Sequence, residues 1–279
     1  MDSESPARRG RLHGFSINRL IPNILTLAAL CSGLTALRFA LQGEMRLAVI
    51  AIIVAAIFDA LDGKVARATG TASAFGAQLD SLCDAITFGF VPAVLGWRVA
   101  SSEAVAVFPP HIVTVASVFY ATAAIIRLAR FNIETTADLS SHLEFKGLPS
   151  PAAAGVIAST ILLWGGESRG HFYDPIVRGL PILLFVLGIL MISRVRYSHV
   201  VNRFFTGFTP FVALVEIVVA VVLVVAVKDQ ALFLLFTGYA LIGPLGWLKN
   251  RLFAPAPAPA PAPPGETPST PPTQEDELF

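Results

Sequence analysis

Eight apolar segments, each close to 20 residues long, follow one another along this 279-residue chain and constrain its fold more than any other feature. About 20 residues of α-helix span the hydrocarbon core of a bilayer. Lipid offers the backbone no hydrogen bonds, so a spanning segment of this kind must satisfy them internally as a helix. We therefore predict an all-α, polytopic membrane bundle of about eight transmembrane helices. The segments lie at about 21–41, 46–67, 77–97, 108–130, 149–166, 177–195, 210–227 and 231–249.

The composition agrees with a membrane protein and excludes several other classes. Hydrophobic residues make up 54% of the chain and charged residues only 14%, and the net charge of +1 gives no electrostatic basis for binding nucleic acid. Cys31 and Cys83 are the only cysteines, and both fall in apolar segments. They indicate small core residues rather than a disulfide or a zinc site.

The basic residues divide unevenly between the two sides of the predicted bundle. With the N-terminus inside, 14 of the 20 Lys and Arg residues fall on the inner side and 6 on the outer side. Cytoplasmic loops carry the excess of positive charge in membrane proteins. The sequence therefore predicts a multi-pass protein of the cell's inner (cytoplasmic) membrane, with both termini on the cytoplasmic side.

Four aspartates interrupt the second and third apolar segments: Asp59, Asp62, Asp80 and Asp84. A charge inside a membrane segment is costly, so such residues are by default functional. The members of each pair are three or four positions apart, which places each pair on one face of a helix. Converging carboxylates would repel one another unless a divalent cation joined them, and oxygen ligands favour Mg²⁺ or Mn²⁺. The alternative is two solvated acid pairs at helix ends. We expect the acids on the cytoplasmic side.

Small and basic residues accompany the acids. Gly63 and Gly76 would let a ligand or a second backbone approach the metal, although glycine also serves helix packing in membranes. Arg67 and Lys64 place positive charge beside the acids, although such residues also anchor the cytoplasmic side. Acids for two metal ions, glycines for access and cations for phosphate together indicate a substrate with a diphosphate head and a lipid tail.

The acidic stretch resembles the complete signature of the CDP-alcohol phosphatidyltransferases, which reads here Asp59-x-x-Asp62-Gly63-x-x-Ala66-Arg67, then eight residues, then Gly76-x-x-x-Asp80-x-x-x-Asp84. The resemblance implies a membrane bundle with a six-helix core and, in this chain, two additional helices on the C-terminal side. It also implies transfer of a phosphatidyl group from a CDP-linked lipid to an alcohol, with release of CMP, and a homodimer.

The resemblance assigns roles position by position. Asp59, Asp62 and Asp80 correspond to metal ligands, and Asp84 to the second-metal ligand and the general base that deprotonates the attacking hydroxyl. The nucleotide and diphosphate contacts correspond to Gly63, Ala66, Arg67 and Gly76. A carboxylate within hydrogen-bond reach of a hydroxyl is able to act as its base.

Further stretches between about Asn18 and Tyr197 are similar to the phosphatidylserine synthase branch of the family, which uses CDP-diacylglycerol and L-serine. They include Pro22-Asn23-x-x-Thr26, Arg127-Leu128-Ala129-Arg130-Phe131-Asn132 and Phe145-Lys146-Gly147-Leu148-Pro149-Ser150. Asn23 and Thr26 then become nucleotide contacts, although they would also suit capping of the first helix. The carboxylate of serine or the lipid phosphate requires a cation, and Arg130 and Lys146 on the inner side are candidates for it. Asn132 and Ser150 are candidates for hydrogen bonds in the same pocket. The alternative for the basic residues is orientation in the membrane.

We predict four regions: a basic cytosolic tail at 1–19, the phosphatidyltransferase core at 20–200, two additional transmembrane helices at 201–252 and a Pro/Ala-rich disordered tail at 253–279. The expected partners are CDP-diacylglycerol, L-serine, membrane lipids and a second copy of the chain, and not nucleic acid. Two alternatives stay open. One is the same chemistry with choline, inositol phosphate or glycerol phosphate, and the other is a divalent-cation or proton transporter.

Overall fold

The computed structural model describes residues 20–137, 147–165, 174–195, 197 and 229–253, with the backbone alone at 135–137 and 250. All regular secondary structure in these ranges is helical. The predicted N-terminal tail, residues 254–279 of the predicted C-terminal tail, the apolar segment at 210–227 and Lys146 lie outside the described residues. The helices are α1 (Leu20–Gln42), α2 (Met45–Ala68), α3 (Ala74–Ala100), α4 (Pro110–Ala137), α5 (Ser150–Trp164), α6 (Asp174–Arg178), α7 (Leu180–Ile192) and α8 (Asp229–Phe253).

The prediction of an all-α membrane bundle is confirmed. Within the described part of the chain, α1, α3 and most of α4 and α8 are long and apolar enough to cross a membrane, and α5 and α7 are shorter apolar helices. The protein is therefore an integral membrane protein. The segment predicted at 177–195 is divided at Gly179, which separates the short α6 from α7. Pro181 lies in the first turn of α7, where its missing N–H costs no helical hydrogen bond.

Helices α1 and α2 form a tightly packed hairpin. Gly43 adopts a φ of +84° in the turn between them, a conformation that glycine adopts without strain. Small residues at intervals of three or four line the buried face of α1 and let the two backbones approach. They are Thr26, Ala29, Gly33, Ala36 and Ala40. The Ser32 hydroxyl also donates to the Ala51 carbonyl of α2 at 2.9 Å.

The opposite face of α1 is apolar and exposed, with Leu27 and Leu34 among its residues, as expected for a face toward lipid. Cys31 lies on this exposed face and Cys83 is buried, and both thiols are free. The prediction that both cysteines pack in the core is therefore correct only for Cys83.

Helix α3 changes its winding in the middle. An α-helical part at Ala74–Asp84 is followed by a π-helical segment at Ala85–Phe90 and a second α-helical part at Val91–Ala100. The side chain of Ser73 caps the start by accepting a hydrogen bond from the Gly76 N–H at 3.0 Å. The π segment begins directly after Asp84, so the change of pitch lies next to the predicted site.

Helix α5 occupies the centre of the bundle. Every residue from Ala153 to Trp164 is buried. Helix α4 packs against α7, where the ring of Phe119 lies on Gly188. Helix α8 packs against α5. The central helix is therefore part of the predicted core and also contacts the C-terminal helix α8.

Candidate active site

The two aspartate pairs meet at one end of the bundle. Asp59 and Asp62 lie near the end of α2, Asp80 and Asp84 lie in the first part of α3, and a short loop at 69–73 joins the helices. One carboxylate oxygen from each of Asp59, Asp62 and Asp80 lies within 4.8 Å of the others. The Asp84 side chain lies close to that of Asp59. The two pairs thus converge, as their spacing predicts.

A third helix holds one of the acids in place. The Thr26 hydroxyl of α1 makes a short hydrogen bond to Oδ2 of Asp62, which is only 5% exposed. Both Thr26 and Asn23 lie inside α1, so the capping alternative for these residues is wrong. The hydrogen bond fixes the orientation of a buried carboxylate, which a metal ligand requires.

The small residues of the motif lie beside this cluster. A Cβ on Gly76 would lie 3.2 Å from Oδ1 of Asn23 and 3.2 Å from Oγ of Ser73, so the absence of a side chain lets α3 approach α1. A Cβ on Gly63 would lie 3.4 Å from Nη1 of Arg67, and the Arg67 charge acts on Asp62. The contacts predicted from Gly63, Ala66, Arg67, Gly76, Asn23 and Thr26 to a nucleotide stay predictions.

The residues predicted to hold the acceptor divide into two groups. The Asn132 side chain makes two hydrogen bonds to the hydroxyl of Ser81, at 2.9 and 3.1 Å, and Ser81 follows Asp80 in the chain. Ser150 is fully buried at the start of the central helix. Arg130 instead donates to the carbonyl of Ile192 at 2.9 Å, at the C-terminal end of α7. The guanidinium therefore also stabilises a helix end.

Arg127 is a residue of this site that the sequence motifs do not single out. Its side chain is 8% exposed, and Nη1 donates to Oγ of Ser150 at 2.7 Å. Its charge also acts on Asp84. The sequence does contain one indication of a role for Arg127. It lies three positions before Arg130, so the two arginines share one helix face, and a charge in an apolar membrane segment is costly.

The π segment is a second feature that the sequence did not predict. A π turn accommodates an extra residue and recurs at functional sites. Here the hydroxyl of Tyr120, which is completely buried on α4, donates to the Phe88 carbonyl at 3.1 Å. Gly33 of α1 leaves room on the other side, since a Cβ there would lie 2.8 Å from Oγ1 of Thr87. These contacts hold the part of α3 that directly follows Asp84.

A cavity of about 820 Å³ opens from the aspartate cluster into the bundle. Its polar end includes Asp80, Asp84, Ser81, Asn132 and Arg127, and the rest of its lining is largely apolar. Such a cavity is suited to a molecule with an anionic or zwitterionic head and an apolar tail.

The donor set at this end fits a divalent cation. The acids supply oxygen atoms alone, the type of ligand that hard cations such as Mg²⁺ and Mn²⁺ bind. The convergence of three carboxylates within 4.8 Å, with the Asp84 carboxylate close to Asp59, gives the density of negative charge that such an ion neutralises. The cluster is therefore able to bind metal.

Comparison with known proteins agrees with this geometry. The family model of the CDP-alcohol phosphatidyltransferases matches residues 19–192, which include all four aspartates. The chain belongs to this family.

Several curated relatives share its sequence. A CDP-diacylglycerol–serine O-phosphatidyltransferase of Helicobacter pylori is 34% identical over 181 residues, which cover 64% of this chain and 72% of the relative. One of Mycobacterium tuberculosis is 37% identical, covering 62% of this chain and 61% of the relative. A protein of the same name from Methanocaldococcus jannaschii is 33% identical over 193 residues, covering 68% of this chain and 81% of the relative.

Proposed function

We propose that the protein transfers the phosphatidyl group of CDP-diacylglycerol to the hydroxyl of L-serine, giving phosphatidylserine and CMP. The observation that carries this proposal is the convergence of the motif aspartates at the polar end of a largely apolar cavity, within the region that the family model matches. Serine is favoured as the acceptor because the relatives from bacteria and an archaeon are named for it.

In this reaction the serine oxygen forms a bond to the phosphorus that carries diacylglycerol, and the bond from that phosphorus to the bridging oxygen of the diphosphate breaks. Asp84 accepts the hydroxyl proton, and CMP leaves with the bridging oxygen. Asp59, Asp62, Asp80 and Asp84 would hold the metal. A divalent cation bound there would neutralise charge on the phosphoryl oxygens and on the leaving group.

The acceptor pocket lies, in this proposal, between α3 and α4. Arg127 offers a planar set of N–H donors that suits the carboxylate of serine, and Ser150 orients it. Asn132 and Ser81 border the same end of the cavity and supply hydrogen-bonding groups. Contacts from Arg130 and Lys146 to the carboxylate or to the lipid phosphate stay predictions.

Three finer statements complete the proposal. The site binds two ions of Mg²⁺ or Mn²⁺, because the family resemblance assigns Asp84 to a second metal. The aspartate end and both termini face the cytoplasm, which the excess of basic residues on that side supports. The enzyme is a homodimer in the membrane, as the resemblance implies.

The decisive experiment is an acceptor panel. Purified protein in detergent receives CDP-diacylglycerol, Mn²⁺ or Mg²⁺, and one of serine, choline, inositol phosphate or glycerol phosphate, and CMP release is measured. We expect release and a new lipid with serine, and neither with the other three. Asp84→Asn serves as the inactive control.

Two outcomes would contradict the proposal in different ways. Turnover with another acceptor in place of serine would keep the chemistry and change the substrate. No CMP release with any acceptor, together with cation movement into proteoliposomes, would favour the transporter alternative. The family assignment is the reason that we expect the enzyme.

A further inference from the structure

The apolar part of the cavity is a groove between three helices. Helix α5 lines it with residues at intervals of three or four, and α8 lines the facing side with the same spacing, so each helix presents one continuous stripe. Val49, Ile52, Ile53 and Ala56 of α2 form the third side. The α5 stripe is Pro151, Ala152, Gly155, Ala158, Ser159 and Leu162, and the α8 stripe is Leu232, Leu235, Phe236 and Tyr239.

The length of the groove corresponds to one leaflet of a bilayer. From Pro151 to Leu162 an α-helix rises about 16 Å, and half of a hydrocarbon core is about 15 Å. Ser150, which bonds Arg127, precedes the stripe, so the groove starts at the polar end of the cavity and continues away from it. An acyl chain that is attached to a head group at the aspartates has this direction and this length.

Specific contacts hold α8 against the groove. The ring of Phe236 lies directly on the backbone of Gly155, where a Cβ would come within 2.4 Å of two ring carbons. Proline in a helix cannot donate to the carbonyl four residues earlier, and Pro244 thereby leaves the Ala240 carbonyl without its helical partner. The Tyr197 hydroxyl donates to that carbonyl at 3.1 Å, and the Tyr197 ring lies on Gly243.

Helix α8 begins at Asp229, beyond the end of the family match at residue 192. The aspartates thus belong to the shared core, while one wall of the groove is contributed by a helix outside it. Phe236 lines the groove, and its ring contacts α5 at Gly155. A smaller side chain at position 236 would therefore widen the groove beside Gly155.

We propose that the groove between α2, α5 and α8 binds an acyl chain of the lipid donor, and that Phe236 limits the width of the chain that fits. The inference rests on the proposed function for its substrate. It adds a specificity-determining residue on a helix outside the shared core.

A competition assay tests the width limit. Protein in mixed micelles receives equal amounts of dipalmitoyl and diphytanoyl CDP-diacylglycerol, whose chains have the same backbone length and differ in methyl branches, and mass spectrometry measures the ratio of the two products. We expect wild-type protein to prefer the straight chain. Phe236→Ala should shift the ratio toward the branched product by about tenfold, the usual effect of small apolar groups in a fitted pocket.

Two further variants make the result interpretable. Phe236→Leu keeps an apolar side chain on Gly155 and should shift the ratio in the same direction by a smaller factor. Leu234→Ala is the matched control, because Leu234 lies on the same helix but is 69% exposed and outside the groove, and its ratio should equal that of wild type. Equal ratios for wild type and both Phe236 variants would overturn the proposal.

Photolabelling separates this inference from the proposed function. A CDP-diacylglycerol with a diazirine in one acyl chain is irradiated with the protein, with and without excess unlabelled donor, and the labelled peptides are identified. We expect competed label on α5 and α8. Competed label confined to the exposed face of α1 would overturn the groove assignment. This readout requires no turnover, so a protein that releases no CMP still tests it.

Discussion

The two ends of the cavity are built by different kinds of interaction. At the polar end, hydrogen bonds position single atoms: Thr26 donates to Asp62, and Arg127 donates to Ser150. At the apolar end, a ring packs on a glycine and small residues leave a groove, with few polar contacts. Substitution at the polar end should therefore reduce the rate. Substitution at the apolar end should change which lipid is used.

The largest effect is expected at Asp84. Asp84→Asn removes the proposed base and a metal ligand while preserving the shape of the side chain, and CMP release should fall by about 10²–10⁴-fold. Glu103→Gln is the matched control, because Glu103 is an exposed acid outside the cluster and its loss should leave the rate unchanged. A near-wild-type rate for Asp84→Asn would show that Asp84 is not the base.

Arg127→Met should have the next largest effect. The substitution removes a buried charge that donates to Ser150 and, in our proposal, binds the serine carboxylate. A hydrogen bond to a charged group contributes about 1.5–3 kcal/mol, so kcat/KM for serine should fall by about 10–100-fold. The KM for CDP-diacylglycerol should change little. Equal losses of kcat/KM for serine and for CDP-diacylglycerol would assign Arg127 a structural role instead. The control is Arg98→Met, in the last turn of α3, which should leave both values unchanged.

Thr26→Val tests whether α1 supports the metal site. The substitution removes the hydrogen bond to Asp62 with little change of volume. Loss of a group that orients a metal ligand usually lowers metal affinity by about 10–100-fold. The Mn²⁺ concentration for half-maximal rate should rise accordingly, and the rate should recover at high Mn²⁺. The control is Thr35→Val, because the Thr35 hydroxyl donates only to a carbonyl of its own helix. An unchanged Mn²⁺ titration for Thr26→Val would show that Thr26 does not support the metal site.

Tyr120→Phe should give the smallest effect at this end. Its hydroxyl supports the π segment after Asp84 through the Phe88 carbonyl, and a hydrogen bond of this type contributes about 0.5–1.5 kcal/mol. We expect kcat to fall several-fold with both KM values unchanged, because Asp84 is displaced slightly and the binding groups are not. Ser117→Ala on the same helix is the control. A change confined to the KM of either substrate would show that Tyr120 does not position Asp84.

The sequence predicts some parts of the cavity and not others. The aspartates follow from local spacing, since residues three or four apart share a helix face and a short loop returns the chain. The contact of Arg127 with Ser150 joins residues 23 positions apart, and that of Tyr197 with Ala240 joins residues 43 apart. No local pattern encodes such pairs. The sequence also gives no sign of the π segment, because the tyrosine that bonds its Phe88 carbonyl lies on another helix.

The metal requirement tests the central claim most directly, namely that the converging aspartates hold divalent cations that bind the nucleotide-linked lipid. CMP release from CDP-diacylglycerol with serine is measured after exhaustive chelation and again after Mn²⁺ or Mg²⁺ is restored. We predict no release without metal, full recovery on addition, and a large loss of recovery in Asp80→Asn. Full activity in the chelated protein would contradict the claim.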